Sequence, residues 1–430
     1  MMPHLTYPDQ LEVRPKPAVT SSLTVPGSKS LTNRALVVAA LAAGTSTLQG
    51  GLIAEDAEVM IRALRDLGFV VQVDGATFTV HGQGGRVPNA AAALDLKLSG
   101  TSIRFLTALV ALGRGRYRLD GNARMRERPI QDLLDALQPL GVRAGTQFET
   151  GCPPVIVEAA GLKGGETRIA GSSSSQYLSA LLMAAPCADD PVTLEVEGEL
   201  TSKPFIDMTL DLMADFGVTV EREGYKRFTI QPQTYQPRTY RVEGDAMAAG
   251  YFWAAAAITG GRVRVENVGR TSSQGDRRLA DVLGEMGCRV TWTNESCEVT
   301  APEGALKGGT FDLNDMSDQA QTLAVVALFA DSPVRITNIW NLRIKETNRL
   351  RALYTELSKL GAEVEEGEDY IVVHPLPALP SSRVEIDTYD DHRMAMAFSL
   401  IGLKVPGIVI KDPSCVRKTF PEFFEVLAAL

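Results

Sequence analysis

The side chains best suited to chemistry in this 430-residue chain are cations gathered into five short runs. PGSKSLTNR carries Lys29 and Arg34, and GNARMRERPI carries Arg124, Arg126 and Arg128. NLRIKETNRLR holds Arg343, Lys345, Arg349 and Arg351 with Glu346 among them, DDHRMAM adds Arg393, and CVRKTFP adds Arg417 and Lys418. One basic run alone is ordinarily a solvated face. This chain, however, has 43 Lys plus Arg against 52 Asp plus Glu, a net charge of −9. Cations concentrated beside Gly, Ser and Pro turns in an acidic protein read as a place for small anions. The same balance argues against a nucleic-acid binder, which needs a basic face. PGSKS also lacks the GxxxxGK[ST] spacing of a nucleotide P-loop.

Glu346 has two readings. It can pair with Arg343 or Arg349 at i,i+3 on a helix surface, or it can be a carboxylate held among cations to carry a proton. His392, between Asp391 and Arg393, reads as a structural hydrogen bonder. Gln274, Gly275 and Asp276 in SSQGDRR read as a turn and helix cap. The five cysteines, at 152, 187, 288, 297 and 415, form no CxxC pair, and the four histidines lie far apart. A reduced cytoplasmic protein without disulfides or a metal site is expected. No apolar run reaches the roughly 18 residues of a membrane span, and MMPHLTYPDQLEVRPKP has no apolar signal core.

Two phrases that recur along the chain must position these residues. The first is an amphipathic helix closed by a hydrophobe and a glycine, then a short strand. Its glycines, Gly68, Gly141, Gly217, Gly287 and Gly361, sit where a helix wants a left-handed residue to stop it. The second starts at a small polar residue and continues into an Ala/Leu-rich helix that is apolar nearly all round and therefore buried. Its copies begin at Ser30, Thr101, Ser174, Asp245, Asp318 and Asp391, at intervals of 71 to 73 residues. These six residues are natural N-caps. Brought together by symmetry, their helix ends would also concentrate N–H groups suited to anions.

Six units of about 72 residues span the chain, and a single core rarely grows past about 300 residues, so two domains of three units are expected. The last unit is short of its final strands, and LEVRP and SSLTV near the N-terminus are the natural donors. One domain should therefore comprise 1–26 and 244–430, the other 27–243, with the active site in the cleft between them. Alternating helices and strands with antiparallel hairpins such as VVQVDGATFTV give an α/β class with mixed sheets.

PGSKSLTNRALVVAALA, SGTSIRFL, GNARMRERPI, SSSSQYLSALLMAAP, LTSKPFID, VEGDAMAAGYFWAAAAI, NDMSDQAQTLAVVALFAD, NLRIKETNRLR, YDDHRMAMAFSL and DPSCVRKTFP follow in the order of one family. Over residues 22–425 the chain closely resembles the 5-enolpyruvylshikimate-3-phosphate synthase family. The resemblance implies a two-domain inside-out α/β barrel, each domain built of three βαβαββ units. It implies transfer of the enolpyruvyl group of phosphoenolpyruvate to the 5-hydroxyl of shikimate 3-phosphate, with release of phosphate, in the route to chorismate and the aromatic amino acids. No metal or cofactor and no nucleic-acid or membrane partner is implied, and a monomer is expected.

Carried over by motif, shikimate 3-phosphate should meet Lys29, Ser30, Arg34, Ser174, Ser175, Gln176 and Ser202, with Asp318, Asn341 and Lys345. Phosphoenolpyruvate should meet Lys29, Gly100, Arg124, Gln176, Arg349, Arg393 and Lys418. Asp318, Glu346 and Lys29 are the implied catalytic groups, with domain closure on binding. The chain departs from the family at Lys97–Leu98–Ser99 before Gly100, at Phe105, at Phe205 and at Asn348, so inhibitor sensitivity at the Gly100 loop is open. Rivals are the sister transferase acting on UDP-N-acetylglucosamine, whose loop cysteine GNARMRERPI lacks, a non-catalytic scaffold of the same repeats, and an RNA-end-modifying relative, which the acidic charge disfavours.

Overall fold

The computed structural model describes residues 6–172 and 174–430. By contact they fall into two compact units, one made of the residues up to Pro26 together with Glu243–Leu430, the other of Gly27–Val242.

In the Gly27–Val242 unit three apolar helices form the centre: α1 (Lys29–Leu41), α2 (Gly100–Ala111) and α3 (Ser175–Ala184). Every residue of α2 is buried, as is α1 from Leu31 onward. Such helices have no polar face to offer water, so they must be wrapped by sheets. The wrapping follows one plan. Ala91–Asp95 runs parallel to Arg114–Asp120, which pairs antiparallel with Val155–Ala160, which closes a hairpin with Arg143–Thr146. Gly165–Ala170, Val192–Glu197, Arg227–Ile230 and Glu221–Glu223 repeat it. So do Thr239–Arg241, Thr45–Gln49, Thr77–His81 and Val70–Asp74. A parallel pair needs a crossover, and α2 and α3 supply it, so each of these two helices starts just after a leading strand.

The second unit has the corresponding helices α4 (Ala246–Thr259), α5 (Ala320–Ala327) and α7 (His392–Gly402), with the amphipathic α6 (Arg349–Lys359) between the last two. Thr20–Leu23 leads one sheet by pairing parallel with Arg262–Val265, and Gly309–Asp312 leads another by pairing with Val334–Thr337. In the third, Val384–Ile386 pairs parallel with Ile408–Lys411, whose other edge takes Gln10–Glu12 antiparallel. Tyr251, Phe252 and Trp253 of α4 are fully buried, with Phe423 edge-on to Tyr251 and Trp292 edge-on to Trp253. All five cysteines are free. Among the described residues no helix is long and apolar enough to cross a membrane.

The five glycines that close the other helices all lie at φ between +82° and +106°, where a Cβ would be strained. The N-cap expectation divides. Ser174, Asp245 and Asp391 do cap α3, α4 and α7, each accepting from backbone N–H groups one or two residues into the helix. Ser30 instead lies inside α1, whose cap is Ser28. Thr101 lies inside α2, and Asp318 lies in the 3-10 stretch Asn314–Gln319 before α5. Asp318 is withheld from capping because cations claim both of its oxygens.

Candidate functional site

In the Gly27–Val242 unit the residues singled out from sequence gather at the starts of α1, α2 and α3. Lys29 opens α1 with its ammonium 3.3 Å from Asp56 Oδ2. One turn on, Arg34 is 1% exposed. It donates to Thr209 Oγ1 (2.8 Å), Ser179 Oγ (3.1 Å) and the carbonyls of Ser30 (3.1 Å) and Phe205 (3.3 Å). Its guanidinium also lies over the rings of Phe105 and Phe205, at 5.1 and 5.7 Å. The two phenylalanines that depart from the family thus share one cation. All these partners are neutral, and burial pulls the Arg34 pKa down to about 9. A positive charge held only by dipoles favours an arriving anion.

The first turns of α2 and α3 meet through Gln176, which donates to Thr101 Oγ1 (3.3 Å) and accepts from Arg104 (2.6 Å). Ser175 is buried beside the Ser174 cap, and Ser202 is buried at φ +57° in the turn that precedes Pro204. Gly100 opens α2 against an arginine, since a Cβ built there would lie 2.6 Å from Arg128 Nη2. Arg128 is 4% exposed, whereas the Arg124 side chain is 32% exposed and bonds Glu127 at 2.7 Å. The arginine of GNARMRERPI that reaches Gly100 is therefore Arg128, a residue that motif reasoning passed over. The available signal was Pro129: a residue before proline is driven out of helical geometry. Arg128 sits at φ −88°, ψ 127°, just past the 3-10 turn of Met125–Glu127.

In the other unit, Asp318, Glu346, Arg349, Asp391, Arg393 and Lys418 form one connected ionic network. Arg349, the first residue of α6, is 1% exposed. Its Nε and Nη2 form a fork on Asp391 (2.7 and 3.2 Å), while Nη1 reaches Asp318 (2.9 Å) and Nη2 reaches Glu346 (3.0 Å). Lys418 takes the other oxygen of Glu346 at 3.0 Å. Asp318 is also held by Arg393 Nη2 at 3.0 Å and lies 3.6 Å from Lys345 Nζ. Burial alone would raise the Asp318 pKa, but Arg393, Lys345 and Arg349 outweigh it and hold the carboxyl well below the ordinary aspartate range. Asn341 is buried and donates to Ser317 Oγ (3.1 Å). Asn348 caps α6 by accepting from the Arg351 N–H (3.2 Å). The Asp-to-Asn departure therefore keeps the cap and takes one negative charge away from the start of α6. His392 is fully buried with Nδ1 3.5 Å from Asp391 Oδ1, which fits its structural reading.

Next to this network lies Asp276, 5% exposed, in the 3-10 turn Gly275–Arg278. Burial first, then the charges of Asp318 and Asp245, push its pKa up to about 7 against the pull of Arg393 and Lys345. Among the described residues no group of three or more His, Cys, Asp or Glu is arranged to hold a metal ion. The network instead offers fixed cations to anions and places three carboxylates, Asp318, Glu346 and Asp391, among them. That combination can bind an anionic substrate and move protons next to it.

The chain is similar to known proteins along nearly its whole length. Residues 13–427 match the family model described as EPSP synthase (3-phosphoshikimate 1-carboxyvinyltransferase). A 3-phosphoshikimate 1-carboxyvinyltransferase of Nostoc punctiforme is 49% identical over 409 residues, 94% of this chain and 95% of that protein. One of Shewanella amazonensis is 48% identical over 427 residues, 98% and 99% of the two chains. A solved EPSP synthase from Acinetobacter baumannii superposes with a TM-score of 0.80 at 27% identity, covering 98% of each chain.

Proposed function

We propose that this chain, which belongs to the EPSP synthase family and carries out that family's enolpyruvyl transfer, moves the enolpyruvyl group of phosphoenolpyruvate to the 5-hydroxyl of shikimate 3-phosphate and releases phosphate. The observation that carries the residue assignment is the network on Asp318 and Glu346. Two carboxylates, both largely buried, are each gripped by cations of the kind that phosphate and carboxylate groups require.

Two multiply charged substrates must be held in contact. Each pair of unit charges about 6 Å apart repels by roughly 3 kcal/mol at an effective dielectric of about 20, so several cations have to act together. In our reading Lys29, Ser30, Arg34, Ser174, Ser175, Gln176 and Ser202 hold shikimate 3-phosphate from the Gly27–Val242 unit, with Asp318, Asn341 and Lys345 from the other. Lys29, Gly100, Gln176, Arg349, Arg393 and Lys418 hold phosphoenolpyruvate. Arg128 takes the place in this set that motif reasoning gave to Arg124, because it is buried against Gly100 while Arg124 is committed to Glu127 at the surface.

The route is addition–elimination. Asp318 takes the proton of the attacking hydroxyl, and Glu346 or Lys29 gives one to the methylene carbon of phosphoenolpyruvate. The tetrahedral adduct collapses as Glu346 removes a methyl proton and phosphate leaves. With its pKa held low, Asp318 is a weak base in the free protein. The cations that hold it low, Arg349, Arg393 and Lys345, are the ones the substrates recruit. Once their N–H groups turn to phosphate and carboxylate, and those anions stand beside it, the proton affinity of Asp318 rises toward the working range. The base is thus armed by the arrival of its substrates.

The finer architecture we propose is the inside-out barrel of three βαβαββ units per domain. Its support is the same parallel-then-antiparallel strand plan in five four-stranded sheets. A monomer in the cytoplasm, with only small-molecule partners, completes the proposal. The test is phosphate release by purified protein given phosphoenolpyruvate with shikimate 3-phosphate, and in parallel with UDP-N-acetylglucosamine. Release with shikimate 3-phosphate alone is expected. Release with the nucleotide sugar alone, or with neither, overturns the assignment.

A further inference from the structure

Arg393 is bonded to Asp318 on one edge and has the Tyr251 hydroxyl beside it. Its Nη2 donates to Asp318 Oδ2 at 3.0 Å, while its Nε is buried with no hydrogen-bond partner. Asp276 is the complement, for its Oδ1 is buried and has no donor. The two charges act on each other directly, each perturbing the other's proton affinity. A buried guanidinium N–H and a buried carboxylate oxygen seldom both go unmet in one cluster. Each such orphan costs more than a bond would gain.

We propose that Asp276 is a positioning residue for Arg393, offering its carboxyl to the Nε edge of that guanidinium in competition with the anion that Arg393 binds during turnover. The idea rests on the reaction proposed above, in which Arg393 holds phosphoenolpyruvate. While Asp276 carries its proton, Arg393 stays on Asp318 and is open to the substrate. Once Asp276 ionises, it draws the guanidinium to itself and adds a negative charge beside the incoming phosphate. The groups that face Asp276 are Asp318 from the Asn314–Gln319 stretch, Arg393 from α7, Asp245 at the cap of α4 and Lys345 just before α6. Its neighbours in the same turn are engaged elsewhere, Arg278 with Asp315 at 2.9 Å and Arg277 with the Ser272 carbonyl at 2.9 Å. The carboxyl pKa of about 7 puts the exchange within the range where the enzyme is assayed.

The experiment is initial-rate kinetics from pH 5.5 to 9, with phosphoenolpyruvate varied at saturating shikimate 3-phosphate, on wild type and Asp276→Asn. In wild type, kcat/KM for phosphoenolpyruvate should fall about tenfold per pH unit above roughly pH 7 through a rise in KM, with kcat changing much less. In Asp276→Asn, whose amide cannot ionise, that limb should vanish while the value at pH 6 stays within about threefold. Superimposable profiles, or an equal loss at every pH, overturn the proposal. Should the amide variant fail to fold, Asp276→Glu keeps an ionisable group at a displaced position and should move the midpoint of the limb; an unmoved midpoint overturns the proposal. Wild type that releases no phosphate refutes the function and this inference together. Active wild type indifferent to residue 276 refutes the inference only.

Discussion

Replacing Glu346 by Gln separates its two readings, because losing a proton carrier lowers kcat whereas losing an ion-pair member alone acts on binding and stability. The carboxylate is held at 3.0 Å by Arg349 and at 3.0 Å by Lys418, and its side chain is 9% exposed. Breaking a buried pair on one side costs about 3–5 kcal/mol, and the remaining carboxylates should keep the loss near the lower figure. For a unit of about 200 residues that is a fall in Tm of roughly 10 °C. The charge arithmetic then favours anions. The cations Lys345, Arg349, Arg393 and Lys418 contact the carboxylates Asp318, Glu346 and Asp391, so four against three becomes four against two. One extra positive charge about 4 Å from a phosphate oxygen is worth about 4 kcal/mol at an effective dielectric of about 20, before losses to relaxation and solvent.

Glu346→Gln should therefore lose about 10²–10⁴-fold in kcat while KM for phosphoenolpyruvate stays level or falls. Its lowered Tm should recover more strongly than that of wild type when sulfate is added. Steady-state kinetics and thermal melts in a sulfate series read all three effects. Wild-type turnover would remove Glu346 from proton transfer. A rise in KM that accounts for the whole loss would leave it only an ion-pair member.

Arg128→Ala should raise KM for phosphoenolpyruvate about 10- to 100-fold, whereas Arg124→Ala, which gives up a surface pair, should change it less than about twofold; the opposite ranking would return the site to Arg124. Gly100→Ala should weaken phosphoenolpyruvate more than shikimate 3-phosphate, because its methyl must displace the Arg128 guanidinium 2.6 Å away, and equal effects on the two KM values would contradict that contact. Stability should show a pH dependence from Asp276. The folded pKa, about 7, exceeds the ordinary 3.8, so the folded state holds this proton more tightly and the stabilisation is lost as pH rises from about 4 to about 7. The shift caps the effect at roughly 4 kcal/mol, so urea titrations should find Asp276→Asn gaining on wild type across that interval and level above it. A constant difference at all pH values would argue against a raised pKa.

The parts legible in the sequence are those whose cause is local. A glycine that must stand at positive φ after a helix recurs at Gly68, Gly141, Gly217, Gly287 and Gly361 whatever packs around it. A helix with no polar face has to be buried, and Ala246–Thr259 is buried along nearly its whole length. N-capping is local as well, which is why Ser174, Asp245 and Asp391 serve as expected. It fails at Asp318 because three cations from segments 27 to 75 residues away outbid two backbone N–H groups. No spacing rule along the chain contains that competition.

The residues that motif reading missed owe their roles to contacts of this non-local kind. Arg124, Arg126 and Arg128 are chemically equal in one loop, yet they separate by which carboxylate lies nearby. Asp120 takes Arg126 and Glu127 takes Arg124, while the arginine turned by Pro129 lies against Gly100. Asp276 reads as a turn residue because its own segment is a turn. Its importance comes from sharing a buried space with Arg393, more than a hundred residues later in the chain. Phe105 and Phe205 look like two unrelated departures until both rings are found on Arg34. Together they set two π faces on a buried cation, each such contact being worth about 2 kcal/mol when desolvated. The consequence is chemical as well as structural: a guanidinium ringed by neutral groups keeps its full electrostatic demand for an anion, whereas Arg349, forked on Asp391, has already spent much of its own.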